Sequence, residues 1–166
     1  MSTALFYASS TGNTEDVANK IIESLGNDIK SYDIANDGYD AISDYDKVIL
    51  GVSTWGEGDL QDDWDDIWDD FCNIDFSNKT VALFGLGDQE GYADEFVDAL
   101  GIMYEQVITA GGDVVGFTST DGYEHDASKA DINGEFVGLV IDEDNQDDLT
   151  QERIETWTNN IKASIL

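Results

Sequence analysis

Nowhere in the 166 residues does an apolar run approach the roughly 20 needed to cross a bilayer, and the first apolar segment, Ala4 to Ala8, is too short for a signal-peptide core. The chain is expected to stay in the cytoplasm, where it is made. Cysteine is reduced to Cys72, which cannot form an internal disulfide and has no CxxC or Cys/His cluster around it to suggest a redox or zinc motif. It reads as a small buried apolar side chain on a helix. Proline is absent, and with it any proline-rich linker. The one histidine, His125, has no serine or cysteine nucleophile motif with it and reads as a solvated loop residue.

Basic residues are the remaining scarcity: 7 Lys plus Arg stand against 37 Asp plus Glu, a formal net charge of −30. A field of that sign repels nucleic acid and anionic lipid and speeds encounters with basic protein partners. Such acidity also fits stability that rises with salt, because screening relieves self-repulsion.

What is present is a hydrophobic content of 41%, enough to fill the core of one α/β domain spanning residues 1–166. Ala4 to Tyr7 reads as a strand, followed by a polar turn and a helix carrying Val17, Ala18, Ile21, Ile22 and Leu25, ended by Gly26. Ile29 to Ile34 reads as a weaker strand. Lys47 to Ser53 and Thr80 to Leu86 are near-continuous apolar strands of the kind buried on both faces of a parallel sheet. Leu60, Trp64, Ile67, Trp68 and Phe71 fall on one stripe, predicting a single helix with an aspartate-rich outer face and core tryptophans. A helix marked by Phe96, Leu100, Met103, Tyr104 and Val107 follows. Val114 to Phe117 opens a fifth strand, a polar stretch from about Thr118 to Glu135 interrupts it, and Phe136 to Ile141 resumes it. The last helix carries Ile154, Trp157, Ile161 and Ile165, with Thr150 as its N-cap. Strands and helices alternating without repeats predict a doubly wound α/β three-layer sandwich, with a five-stranded parallel sheet and an insertion in the fifth strand. Ligands bind such sheets at the carboxyl ends of the strands.

Three loops fall there. Ser9-Ser10-Thr11-Gly12-Asn13-Thr14 brings four hydroxyls to a helix N-terminus, which suits a phosphate, with Gly12 letting the backbone wrap closely. It has no lysine, so it is not a GxxxxGK[ST] loop, and GxGxxG is absent as well; a monophosphate ester fits best. Taken alone, the loop reads equally as an ordinary hydroxyl-rich turn with an N-cap. Ser53 to Asp59 places Trp55 among small residues at a strand end, and Gly85 to Asp94 does the same with Tyr92. Two such aromatics beside a phosphate loop favour a stacked heterocycle.

These loops closely resemble the flavodoxin family: SSTGNTE after the first strand, STWGEGDLQDDW after the third, GLGDQEGYADEF after the fourth and DEDNQDDLT near the end. The interrupted fifth strand is similar to that of the long-chain class. The resemblance implies noncovalent binding of FMN, with Ser9, Ser10, Thr11, Gly12, Asn13 and Thr14 at the phosphate and Trp55 and Tyr92 on either side of the isoalloxazine ring. Thr54, Gly56, Gly58, Leu86, Gly87 and Asp88 would line the ring edge and ribityl chain, with Asp144 near the ribityl group. It implies a monomeric low-potential one-electron carrier working through a stabilised neutral semiquinone, with no substrate turnover of its own. In that family the peptide after the tryptophan turns over on reduction; here it joins Gly56 and Glu57. Two departures stand out. Val97 occupies a place where some long-chain relatives carry a polar side chain, and Gly56 replaces a larger residue. Implied partners are basic-surfaced redox proteins, such as a ferredoxin/flavodoxin-NADP reductase on one side and photosystem I, nitrogenase or a radical-enzyme activator on the other.

A flavin-dependent NAD(P)H:quinone reductase on the same fold is the alternative. A phosphorylatable receiver domain needs an aspartate ending the third strand, where Ser53-Thr54 stands instead. Asp62, Asp63, Asp65, Asp66, Asp69 and Asp70 read as a solvated helix face that can also dock basic partners. The spacing Asp142, Asp144, Gln146, Asp148 is not a calcium loop, since Asp147 and Arg153 replace the required glycine and glutamate.

Overall fold

Three apolar runs with side chains alternating between two buried faces form the centre of the molecule. The computed structural model describes residues 3–55 and 58–166. Strands β1 (Thr3–Tyr7), β2 (Lys30–Asp33), β3 (Lys47–Trp55) and β5 (Thr80–Leu86) lie parallel in the order β2-β1-β3-β5. A two-residue strand, β4 (Asp59–Leu60), folds back antiparallel on the end of β3. The fifth position is shared by two short strands: β6 (Asp113–Val115) pairs with Thr80–Ala82, and β10 (Leu139–Ile141) pairs with Phe84–Leu86. The interrupted strand expected from the sequence is present, with residues 116–138 between its halves. That insertion carries a small antiparallel sheet of β7 (Thr118–Ser119), β8 (Asp131–Ile132) and β9 (Glu135–Phe136).

Helices cover both faces. Leu5, Tyr7, Ile49, Ala82, Phe84 and Ile141 pack against Val17 and Ile21 of α1 (Asn13–Ser24) and Ile154, Trp157 and Ile161 of α6 (Thr150–Ile165). Phe6, Val48, Leu50, Val81 and Leu83 face the other way, toward α3 (Asp62–Asp66), α4 (Trp68–Phe71) and α5 (Asp98–Thr109), with a one-turn helix α2 (Ile34–Asp37) after β2. The hydrophobic effect acts on both sides of one sheet, and this is why the central strands show no polar alternation. Trp64 is fully buried, and its indole Nε1 donates to Gly51 O at 2.9 Å, so burial leaves no polar atom unpartnered. Helix α1 closes as expected around Gly26: the N–H groups of Gly26 and Asn27 donate to Glu23 O and Ile22 O.

Four sequence expectations are corrected. The stripe from Leu60 to Phe71 is kept, but the helix breaks at Ile67 (φ −105°, ψ 7°) into α3 and α4, so the aspartates sit on two short segments. Cys72 is exposed, because α4 ends at Phe71 and the turn carries the thiol outward. Thr150 is the first helical residue and does not cap α6; a 3₁₀ turn at Asp147–Leu149 leads in, and the Thr150 hydroxyl donates to Glu143 Oε2 at 3.2 Å. His125 is not solvated: its side chain is 9% exposed and packs between Phe96 and Phe136, with Nε2 3.4 Å from Asp131 Oδ2. Among the described residues, no helix is long and apolar enough to cross a membrane.

Candidate functional site

Parallel strands end together, so the turns after β1, β3, β5 and β10 meet along one edge of the sheet. There they enclose a groove lined by Ser10, Thr11, Asn13 and Thr14 from the first turn, Ser53, Thr54 and Trp55 from the second, Leu86, Gly87, Asp88 and Tyr92 from the third, and Glu143 and Asp144 from the fourth.

The phosphate-like end is shaped by Gly12, whose φ of 93° a side chain would resist. Its N–H donates to Ser9 Oγ at 2.9 Å, which closes the turn. Ser9 and Gly12 therefore shape the loop, and neither lines the groove. No side chain caps α1, so its first-turn N–H groups, which a helix cannot satisfy internally, sit at the end of the groove beside Ser10, Thr11, Asn13 and Thr14. Ser10 Oγ accepts from Gln61 Nε2 at 2.9 Å, and Gln61 Oε1 in turn accepts from Asp63 N, which ties the first turn to the start of α3.

The aromatic end is defined by exposure. Trp55 is 42% exposed and Tyr92 47% exposed, although both are anchored at their bases: Trp55 Nε1 donates to Ser53 Oγ at 2.9 Å, and Tyr92 N donates to Asp88 O at 3.0 Å. Large rings left open to water at two neighbouring strand ends are surface that a flat ligand would cover. Thr54 Oγ1 accepts from Ala99 N at 3.0 Å and so holds the start of α5. Gly58 lies outside the groove lining, but a Cβ there would come within 2.8 Å of Asp98 Oδ2, so the backbone at Gly58 lies directly on α5. Gly56 and Glu57, and with them the peptide that joins them, lie outside the described residues. Val97 is fully buried with φ 46° and packs beneath Gly87, so it offers no side chain to the groove.

The remaining wall is acidic. The Gly91 N–H holds Asp88 below the usual carboxylate range against the opposing effect of burial; Asn145 and the Glu90 N–H act in the same direction as Gly91. Asp144 lies above that range, first through desolvation and then through repulsion from Asp88 and Asp142. A carboxyl raised by the fold favours the folded state below its unfolded value, and that contribution is lost as pH rises through the folded value. Ionised Asp144 is then a burden at neutral pH. Asp144→Asn should raise the apoprotein melting temperature at pH 7 by about 1 °C, a small shift because the residue is exposed. The gain should vanish in acid, where wild-type Asp144 is protonated. A pH series of thermal melts on both proteins checks this, and a gain independent of pH would contradict it.

Among the sequence-predicted residues, the structure brings Ser10, Thr11, Asn13, Thr14, Thr54, Trp55, Leu86, Gly87, Asp88, Tyr92 and Asp144 to one groove. Ser53 and Glu143 also line it and were not foreseen, though Ser53 opens the same STWG motif. Asp142, dismissed above as part of a false calcium loop, is a buried carboxylate behind the groove wall that accepts from Gln89, Asp144 and Asn145. Among the described residues no carboxylate, cysteine or histidine group is arranged to hold a metal.

The donor set suits a flavin mononucleotide. Neutral hydroxyl and N–H donors at one end match a phosphate held without lysine. Two open aromatic rings match a tricyclic plane, and carboxylate acceptors in the same groove match a polyol linker. Comparison with known proteins agrees. The sequence model of the flavodoxin family matches residues 5–157. The flavodoxin of Picosynechococcus sp. is 47% identical over 162 residues, covering 96% of this chain and 95% of its own, and flavodoxin 1 of Salmonella typhimurium is 44% identical over 98% and 94%. The crystal structure of Fusobacterium nucleatum flavodoxin bound to flavin mononucleotide superposes with a TM-score of 0.92 at 35% identity, covering 99% of both chains.

Proposed function

The chain belongs to the flavodoxin family, and from that premise we propose that it is a low-potential one-electron carrier that binds one FMN noncovalently and passes electrons between redox proteins. FMN supplies a ring that can be reduced in two separate one-electron steps. Everything else required of the protein is binding, shielding and electrostatics, and no nucleophile or acid–base pair for substrate turnover belongs to this reading. The observation that carries it is the pair of exposed rings, Trp55 and Tyr92, flanking a groove that ends at a lysine-free, hydroxyl-rich helix N-terminus.

In this reading Ser10, Thr11, Asn13 and Thr14 hold the phosphate, with Ser9 and Gly12 keeping their turn in shape. Trp55 and Tyr92 exclude water from the two faces of the ring, and their electron-rich faces oppose added negative charge on it. Asp88, Asp144 and the net charge of −30 act in the same direction over longer range, which disfavours the fully reduced anionic state and separates the two steps. Thr54, Leu86 and Gly87 line the ring edge and the linker, and Gly58 keeps the second turn close against α5. The acidic segments α3 and α4 present their aspartates to basic partners, of which a ferredoxin/flavodoxin-NADP reductase as donor and photosystem I, nitrogenase or a radical-enzyme activator as acceptor fit the chemistry. The carrier acts as a monomer.

Stepwise reduction of the FMN-loaded protein without oxygen tests this. A half-reduced species absorbing at long wavelength should accumulate before full reduction. Direct passage to the two-electron form would overturn the one-electron reading, and failure to retain FMN would overturn the site itself.

A further inference from the structure

We propose that Gln89 is a positioning residue for the flavin: it fastens the loop carrying Tyr92 to the insertion, so that bound FMN and residues 124–127 order one another. The inference rests on the FMN reading above and concerns a part of the chain outside the groove.

Gln89 lies between Asp88 and Tyr92, both groove residues, yet it is only 2% exposed. Its backbone N and its Nε2 both donate to Asp142 Oδ2, at 3.1 and 2.7 Å, while its Oε1 accepts from Glu124 N at 2.6 Å. One side chain thus joins the third turn, the turn after β10 and the insertion. Asp142 is fully buried, and the hydrogen bonds its carboxyl oxygens accept come from Gln89, the Asp144 N–H and Asn145; Asn145 Nδ2 also reaches Asp88 Oδ1 at 2.8 Å. A buried carboxyl group satisfied by donors from two groove turns fixes those turns relative to each other, because moving either one leaves a buried oxygen without its hydrogen bonds.

On the far side of Tyr92 the same segment of the insertion holds again. Ala93 O accepts from Asp126 N at 2.8 Å and Ala127 N at 3.0 Å, and Phe96 N donates to Ala127 O at 3.3 Å. The Tyr92 ring therefore projects from a loop held on both flanks by residues 124–127, none of which lines the groove. Whatever fixes Tyr92 must then reduce opening of this strap, and by linkage the strap must strengthen whatever fixes Tyr92.

Amide hydrogen exchange on the full chain with and without FMN tests the coupling. FMN should slow exchange at Glu124, Asp126 and Ala127 more than at Asp121 and Gly134, whose N–H groups bond only within the insertion, to Ser119 Oγ and Asp131 Oδ1. In Gln89→Met, which keeps the length but neither polar atom, the FMN dissociation constant should rise about tenfold. The visible circular dichroism of the bound flavin should change, and the extra protection at Glu124 should disappear. Equal slowing at both sets of amides in the wild type would overturn the proposal, and that comparison stands even if the variant does not fold. Native affinity and native dichroism in a folded Gln89→Met would overturn it as well. A wild-type chain that failed to bind FMN at all would remove the function on which the proposal rests.

Discussion

Replacing Trp55 and Tyr92 together by alanine should weaken FMN binding by about a hundredfold or more while leaving the apoprotein melting temperature nearly unchanged. The two halves of that expectation share one cause. Both rings are close to half exposed before any ligand is present, so they contribute little to the folding of the chain. Stacking of an aromatic side chain on a flat heterocycle is worth about 1–3 kcal/mol per contact, and each 1.4 kcal/mol or so is a factor of ten. Two contacts therefore account for a hundredfold, and each single variant should lose about tenfold. The phosphate end is untouched in these variants, so weak residual binding should persist for FMN. It should be lost for riboflavin, which lacks the phosphate that Ser10, Thr11, Asn13 and Thr14 would hold. Titration followed by quenching of flavin fluorescence at fixed salt measures the constants. Variants that bind as wild type would show that the groove does not stack a ring, and a large fall in melting temperature would show that the rings belong to the scaffold.

How much of this could be read from sequence depended on how far apart the interacting residues lie. The central strands were legible because Val48, Ile49, Leu50 and Val81 to Phe84 are buried by neighbours on both faces, which leaves an unbroken apolar run. The groove was legible because each wall is a short contiguous motif placed at a strand end by the fold. Periodicity could not detect the break at Ile67, since a change of ψ at one residue leaves the apolar stripe in phase. It could not find the sheet inside the insertion, because two-residue strands have no period to read. His125 looked like a loop residue because Phe96 and Phe136, which enclose it, come from two other segments of the chain. For the same reason Gln89 and Asp142, 53 residues apart, look unremarkable in the sequence and meet only in the fold.

The charge balance leads to the second large effect: the apoprotein melting temperature should rise steeply with added KCl, by about 10 °C between 0.01 and 1 M. The net charge is −30, and among the described residues no lysine or arginine pairs with an aspartate or glutamate; the one close contact of this kind is His125 Nε2, 3.4 Å from Asp131 Oδ2. The few cations spend hydrogen bonds on other groups; Lys79, for example, is buried and donates to the Ser43 and Tyr45 carbonyls. Folding thus concentrates carboxylates without pairing them, whereas the unfolded chain spreads them apart. Added salt shortens the screening distance from about 30 Å at 0.01 M to about 10 Å at 0.1 M and about 3 Å at 1 M, so repulsion across the surface is removed mainly over the first decade of concentration. For a chain of this size about 1 kcal/mol corresponds to roughly 2–4 °C, and relief of a few kcal/mol gives the stated shift. Most of the rise should come below about 0.3 M and should be the same for sodium, potassium and choline chlorides, because screening does not depend on the identity of the cation. A rise confined to molar salt would indicate exclusion of salt from the surface instead, and a flat curve would mean that the folded chain tolerates its charge without measurable strain.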